Sequence, residues 1–137
     1  MRKNIVLDTN TLLSAAISDE SISFKAYQKA RTNFLITLSI NTWREINDVI
    51  YRPKFNKYLS DFDRFVFLTA LNDKAIFIEP TETITDCRDP KDNKFLELAI
   101  AANAPFIITG DDDLLVLNPY RHITILKSGD FLTLELT

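Results

Sequence analysis

Five short runs of apolar residues recur along the chain, separated by longer segments in which apolar residues follow a helical spacing. The runs occupy residues 5–7, 34–38, 75–78, 106–108 and 123–126. They are continuous rather than alternating, which is typical of strands that are buried on both faces of a sheet. Because strands and helices alternate, the pattern predicts an α/β fold with a central parallel sheet and helices on both faces.

Helices are predicted between the strands over residues 10–17, 23–32, 42–51, 61–73 and 92–103. The third stops before Pro53, because the residue that precedes a proline disfavours the helical conformation. The fourth is expected to bury Phe62, Phe65, Val66 and Leu68. The fifth carries an apolar stripe of Phe95, Leu96, Ala99 and Ile100. A short segment follows over residues 114–117. No repeat or linker interrupts the pattern, so a single domain is expected over residues 1–137.

The composition fits a globular protein with one core. The 137 residues are 46% hydrophobic and 26% charged, which argues against a disordered chain. Cys87 is the only cysteine, which excludes an internal disulfide and a cysteine-rich zinc site. The first apolar run is too short for a signal peptide, and no run reaches membrane-spanning length. We therefore expect a cytoplasmic protein without a membrane segment.

The formal net charge of −3 restricts the partners that the chain could bind. Proteins that hold nucleic acid by positive charge alone are usually basic overall, so tight nonspecific binding is not expected. A local basic rim or a basic protein partner remains compatible with this charge. The two glycines, Gly110 and Gly129, are too few for a Walker loop or a dinucleotide fingerprint. The single histidine, His122, is expected on the surface or in packing and not in a catalytic triad.

Four acidic residues occupy positions where predicted strands end or helices begin. They are Asp8 after the first strand, Asp111 after the fourth, and Glu45 and Asp92 near the starts of two helices. In parallel α/β sheets, ligands bind outside the carboxyl ends of the strands, so these side chains are expected to share one cleft. Two carboxylates about 4 Å apart repel each other by about 4 kcal/mol at an effective dielectric near 20, unless a cation holds them. Oxygen ligands suit Mg²⁺ or Mn²⁺, which can orient a phosphate and activate water.

Each of these acids also has a purely structural explanation. Asp8 could cap the helix that follows it, and Glu45 could be stabilised by the dipole of a helix's first turns. Asp89, which precedes a proline, could be the cap of a helix whose third residue, Asp92, forms a capping box. Residues 111–113 could form a turn. Taken together at one edge of a sheet, these explanations account for the pattern less well than a metal site does.

Basic residues lie close in sequence to the acidic positions. Possible contacts to the phosphate groups of a substrate are Arg44, Arg52, Lys54, Lys57, Lys91 and Lys94. They could equally be charges on the solvated faces of helices. Trp43 and Phe95 fit helical patterns and are expected in the core rather than as platforms for stacked bases.

Four ordered segments resemble the PIN domain family. They are IVLDTN at residues 5–10, Ser39 with Glu45, DPKDNKFLELA at residues 89–99 and TGDDDLL at residues 109–115. Each segment is short, but their order and spacing cover essentially the whole chain. Within that superfamily, YRPKF at residues 51–55 and the DPKDN stretch are similar to a bacterial group of toxin components related to VapC.

The resemblance implies a three-layer α/β/α sandwich with sheet order 3-2-1-4-5 and a metal-dependent endoribonuclease that acts on single-stranded RNA. The implied catalytic residues are Asp8, Glu45, Asp92 and Asp111, of which the three aspartates would hold Mg²⁺ or Mn²⁺. Glu45 would complete the site and orient the attacking water. The implied supporting residues are Thr9, Asn10, Thr109 and Asp113. The resemblance further implies a homodimeric toxin that a cognate antitoxin holds inactive.

Two points within the implied site depend on spacing alone. The distance in sequence from Thr109 favours Asp111 as the metal ligand, with Asp113 as a supporting or capping residue. Asp89 is expected to be a helix cap and not a ligand.

Other functions place acids similarly. A haloacid dehalogenase-type phosphatase needs a second aspartate at position 10, where this chain has Asn10. A phosphoacceptor receiver domain needs its nucleophile after the third strand, which here is followed by Glu79 and Pro80. A non-catalytic module could use the acidic cleft to bind a basic peptide. Metal-dependent cleavage of RNA would distinguish the nuclease from that module.

Overall fold

The computed structural model describes residues 1–136, which contain a five-stranded sheet whose strands are all parallel. The strands are β1 (Asn4–Leu7), β2 (Leu35–Leu38), β3 (Ile76–Phe77), β4 (Phe106–Ile108) and β5 (Thr124–Leu126). Their order is β3-β2-β1-β4-β5, as the resemblance implied. β1 is therefore central, and β4 is its neighbour.

Seven helices accompany these strands within the described residues. They are α1 (Thr9–Ile17), α2 (Ile22–Asn33), α3 (Ile40–Ile50), α4 (Asp61–Lys74), α5 (Asn93–Ala101), α6 (Asp112–Leu115) and α7 (Ser128–Thr133). The five predicted helices are confirmed, with ends shifted by one or two residues. α6 begins two residues before the predicted segment. Over residues 1–136, no helix has the length and apolar character that crossing a membrane requires.

Two apolar clusters cover the two faces of the sheet. Ile5 and Leu7 belong to the cluster formed with α1, α2, α3, α4 and α7, whereas Val6 belongs to the cluster formed with α5 and α6. In β4, Ile108 lies in the first cluster and Ile107 in the second. Successive side chains of a strand point to opposite faces, so a continuous apolar run fills both cores. The three-layer α/β/α architecture is confirmed.

The third strand was predicted to be buried on both faces, and it is not. Ile76 and Phe77 are both exposed. β3 is the edge strand beyond β2, and it pairs with a single neighbour. Phe77 still packs edge-on against Trp43, with ring centroids 6.1 Å apart, so the strand is partly covered on one face. Its apolar residues also suit the strand conformation itself.

The prediction for the inner face of α4 is largely wrong. Leu68 is buried as expected, but Phe62, Phe65 and Val66 are exposed. The inner face instead carries Arg64, four residues before Leu68. This guanidinium donates hydrogen bonds to the carbonyl oxygens of residues 50 and 59, at 2.6 and 3.0 Å, and to the amide oxygen of residue 56 at 2.9 Å. The hydrogen bonds of the buried Arg64 therefore fix which face of α4 points inward. That face differs from the one that the apolar residues had predicted.

The last helix, α7, was not predicted from the sequence. Phe131 is fully buried against the rings of Phe34 and Phe106, at centroid distances of 5.9 and 6.0 Å. Lys29 Nζ donates to the carbonyl oxygens of Phe131 and Leu134 at 2.7 and 2.5 Å. With six residues, of which only Phe131 is an apolar residue fully buried in the core, α7 is too short to show a helical period.

Candidate metal centre

The carboxyl ends of β1 and β4 bring the first acids together. Asp8 directly follows β1, and its backbone N–H donates to the carbonyl oxygen of Ile108 at 3.1 Å, which extends the pairing of the two strands. Thr109 directly follows β4, and Asp111 lies two residues further on. The predicted convergence of these two strand ends is therefore present.

Helices α3 and α5 bring the other two acids to the same edge of the sheet. Glu45 lies on α3, and Asp92 ends a short 3₁₀ turn that leads into α5. All four predicted catalytic residues line one cavity of about 270 Å³. Its lining comprises Asp8, Thr9, Asn10, Glu45, Val49, Arg52, Asp89, Lys91, Asp92, Phe95 and Asp111.

Asp8 is at once a helix cap and a member of the cleft. Its Oδ1 atom accepts from the N–H of Thr11 at 2.9 Å, so the capping interpretation is correct. Its Oδ2 atom accepts from the hydroxyl of Thr109 at 2.5 Å. Burial raises the pKa of Asp8, although these hydrogen bonds oppose the shift. The cap and the site therefore use the same side chain.

Asp92 is the acid whose surroundings point most directly to a cation. Its side chain is buried, and within residues 1–136 its Oδ2 atom has no hydrogen-bond partner. Burial, the adjoining carboxylate of Asp111, and the charges of Asp89 and Asp8 raise the pKa of Asp92 to about 7. A buried oxygen without a donor, surrounded by other carboxylates, fits a hard divalent cation.

The capping box proposed for Asp92 is not formed in the described part of the chain. Asp89 does cap the 3₁₀ turn, because its Oδ1 atom accepts from the N–H of Lys91 at 3.2 Å. Asp92, however, makes no side-chain capping bond at the start of α5. Its position is therefore not explained by helix capping.

Asp92 also belongs to a second group of carboxylates. One oxygen each of Asp89, Asp92 and Asp113 lie within 4.8 Å of one another. Asp111 caps α6 by accepting from the N–H of Asp113 at 2.9 Å, as the turn interpretation anticipated. The preference for Asp111 over Asp113 as ligand thus stays a prediction, since both carboxylates lie beside Asp92.

Comparison with known proteins gives the chain its family. Residues 4–113 match a family model described as PIN domain. The chain belongs to the PIN domain family. A protein named uncharacterized protein MJ1680, from Methanocaldococcus jannaschii, is 35% identical over 118 residues, which cover 82% of this chain and 74% of that protein. The crystal structure of PAE2754 from Pyrobaculum aerophilum shares the fold, with a TM-score of 0.59, 14% identity, and coverage of 95% of this chain and 88% of that one.

Glu45 of this PIN domain is held by two side chains. The hydroxyl of Thr9 donates to its Oε1 atom, and Lys94 Nζ lies 2.6 Å from its Oε2 atom. The structural explanation for Glu45 is wrong, because α3 begins at Ile40 rather than at residue 42. Glu45 then lies in the second turn, whereas the dipole effect fades within the first.

The residues predicted to support the site occupy distinct places. Thr109 is fully buried, and its hydroxyl oxygen also accepts from the N–H of Asp111 at 2.9 Å. Thr9 is buried, whereas Asn10 is exposed at the mouth of the cleft. Thr109 therefore connects the acid after β1 with the acid after β4.

The basic residues divide into three groups. Arg52 and Lys91 line the cleft, and Lys94 is half-buried against Glu45. The remaining candidates, Arg44, Lys54 and Lys57, are exposed and do not line the cleft. Sequence reasoning missed Arg88, whose Nη2 atom lies 2.9 Å from Asp113 Oδ1. Its position directly before Asp89 was the available signal.

Proposed function

We propose that this chain is a metal-dependent endoribonuclease that cleaves single-stranded RNA. Membership of the PIN domain family implies a nuclease-type function. The observation that carries the finer proposal is the buried, unpartnered Oδ2 atom of Asp92 in a cleft of carboxylates. The family also separates the chain from the phosphatases and receiver domains considered above.

Asp8, Asp92 and Asp111 would hold Mg²⁺ or Mn²⁺ at the carboxyl edge of the sheet. When bound, such an ion polarises the scissile phosphate and activates water. The pKa of Asp92 is raised to about 7, and its carboxyl group would lose its proton on binding a cation. Thr109 keeps Asp8 in position through its hydroxyl group.

Glu45 would orient the water that attacks phosphorus. Its carboxylate is fixed by Thr9 and Lys94 and still has lone-pair directions for a water proton. The water oxygen bonds to phosphorus as the 3′ oxygen of the preceding nucleotide leaves. The product carries a 5′-phosphate, as the family resemblance implies.

A second cavity next to the cleft supports the proposal that the substrate is an extended strand. This cavity, of about 410 Å³, shares Asn10 and Asp111 with the acidic cleft. Polar residues and two glycines line it: Asn10, Thr11, Ser14, Ser23, Gly110, Asp111, Lys127, Ser128 and Gly129. Lys127 follows β5, so it lies at the same edge of the sheet as the acids. Hydroxyl groups and a lysine suit the ribose and phosphate groups of a strand that passes over Asp111.

We further propose a toxin role in the cytoplasm, with an antitoxin partner and a homodimeric state. A groove of about 680 Å³ runs between α1, α2 and α4. Phe24, Phe62 and Val66 line it, and Asp19 and Glu20 lie on its rim. An apolar groove with acidic edges suits an amphipathic partner helix that carries basic residues.

The proposal is tested by incubating the purified protein with mixed single-stranded RNA, in Mn²⁺ or Mg²⁺ and in chelator, beside Asp92→Asn. We expect cleavage that needs both the metal and Asp92. Absence of metal binding, with no cleavage of any RNA, would favour the non-catalytic binding module. Expression in a bacterial host tests the toxin role, and growth arrest that depends on Asp92 is the expected result.

A further inference from the structure

Lys94 lies deeper than the basic residues at the rim of the cleft. Its side chain is 13% exposed, against 74% for Lys91 and 52% for Arg52. Its Nζ atom lies 2.6 Å from Glu45 Oε2 and 5.5 Å from the centre of the Phe95 ring. Burying an unpaired ammonium group is costly, so a lysine at this depth needs a partner of opposite charge. Glu45 is that partner.

Glu45 is held from two elements other than its own. Thr9, on α1, donates to one carboxylate oxygen, and Lys94, on α5, donates to the other. Each carboxylate oxygen can accept two hydrogen bonds, so each keeps a direction free for water. Direct coordination of a divalent cation would bring that cation into competition with Lys94 for the same oxygen.

We propose that Lys94 is a positioning residue, which keeps Glu45 on the attacking water and away from direct coordination of the metal. The inference rests on the proposed nuclease function. It replaces the expectation that Lys94 contacts RNA, because its ammonium group already has an acidic partner within the fold. The charge of Lys94 also offsets one negative charge in the cleft that Asp8, Asp92 and Asp111 share.

Removing the charge should affect metal binding and turnover in opposite directions. In Lys94→Met, Glu45 is free to turn toward the cation and the cleft gains net negative charge. We expect the dissociation constant for Mn²⁺ to fall about tenfold. At saturating Mn²⁺ we expect kcat to fall about tenfold or more, because the water is no longer held in line with the phosphate. A bridge that only ties α3 to α5 would lower the melting temperature without tightening Mn²⁺ binding.

The experiment is calorimetric titration of the full metal-free chain with Mn²⁺, followed by kcat and KM on a single-stranded RNA oligonucleotide. The variants are Lys94→Met, Lys94→Gln in case the first does not fold, Lys94→Arg, Glu45→Gln and the double variant Lys94→Met/Glu45→Gln. Lys94→Arg keeps the charge and should remain within about threefold of the wild type. The double variant should match Glu45→Gln in kcat, because no carboxylate remains to be positioned.

Lys74→Met is the matched control, since Lys74 is an exposed lysine that ends α4 at the opposite edge of the sheet. Unchanged or weaker Mn²⁺ binding by Lys94→Met would overturn the inference, as would a higher KM with unchanged kcat. A wild type that binds no Mn²⁺ overturns both the inference and the proposed function. A wild type that binds Mn²⁺ without cutting RNA contradicts the proposed function alone. The Mn²⁺ affinities of the variants then decide whether Lys94 keeps Glu45 away from the metal.

Discussion

At the residue scale, the acids of the cleft serve the fold and the candidate site to different degrees. Asp8 caps α1 and receives the Thr109 hydroxyl, so both its oxygens already have donors. Asp92 has an oxygen with no donor in the described chain and a pKa raised to about 7. Removing the charge from Asp8 therefore disturbs two structural contacts, whereas removing it from Asp92 relieves repulsion. Asp92 is the cleaner position at which to separate function from folding.

Asp92→Asn should lower RNA cleavage by about 100-fold or more, since even the residues that support metal ligands are commonly worth about 10- to 100-fold. The metal-free variant should be at least as stable as the wild type, because a buried like charge beside Asp111 is gone. Cleavage rate and melting temperature in chelator are the two measurements. A clear loss of stability would mean that Asp92 is a structural residue after all.

The raised pKa of Asp92 also predicts a pH dependence of stability. Between its usual pKa of 3.8 and the raised value of about 7, the folded chain binds more protons than the unfolded chain. The free energy of unfolding of the metal-free protein should therefore fall as pH rises through this window. Denaturant titrations near both ends of the window measure it, with Asp92→Asn as the variant whose dependence should be flatter. Equal slopes for the two proteins would contradict this assignment.

At the element scale, α4 shows how a helix can present an apolar face to solvent. Arg64 and Leu68 lie on the inner face, and Phe62, Phe65 and Val66 lie on the outer one. An apolar pattern specifies that a helix has an apolar face but not which neighbour covers it. Phe62 and Val66 also line the groove proposed for the antitoxin, whereas Phe65 does not. The surface around Phe65 is therefore the candidate for the proposed homodimer.

Two substitutions on α4 should behave differently. Leu68→Ala should lower the free energy of unfolding by about 2–5 kcal/mol, because it leaves a cavity in the core. Phe65→Glu should change it by only about 0.5 kcal/mol, because the ring is exposed. Sedimentation velocity then tests the dimer, which Phe65→Glu should dissociate. A dimer that survives this change would place the interface elsewhere.

At the scale of the whole molecule, the net charge of −3 and the proposed RNA substrate are compatible because charge is distributed unevenly. Five carboxylates line one cleft at the carboxyl edge of the sheet: Asp8, Glu45, Asp89, Asp92 and Asp111. Arg52 and Lys91 border that cleft, and Lys127 lines the neighbouring cavity. Among the residues that the structure describes, Lys127 forms no ion pair, so its charge is available to a phosphate.

Lys127→Glu tests this path of the RNA strand. KM for single-stranded RNA should rise about tenfold, with kcat within about twofold, because a phosphate contact outside the reacting centre is lost. The dependence of binding on salt should also weaken by about 0.7 in logarithmic slope, the value of one contact on a single strand. Lys74→Glu makes the same charge change at the far edge of the sheet and should alter neither constant. Equal KM values for both variants would exclude this path.

Much of this architecture could be predicted from sequence because the signals are local. Five apolar runs marked the strands, and the acids at positions 8, 45, 92 and 111 were selected by their places after strands or on helices. Helix α7 was missed because it is short and its one fully buried residue, Phe131, has partners that lie on distant parts of the chain. The exposure of β3 was missed because an edge strand and a central strand can share the same residue types.

The sequence by itself determined the order of strands and helices, the α/β class and the acids that mark a PIN domain, because periodicity and short motifs are properties of neighbouring residues. Only the tertiary structure decided which of those acids lacks a donor and which is tethered. Glu45 meets Lys94 across 49 positions, and Asp8 meets Thr109 across 101. Such pairings depend on how strands and helices pack, since the chemistry of a carboxylate is set by the atoms around it and not by its neighbours in sequence.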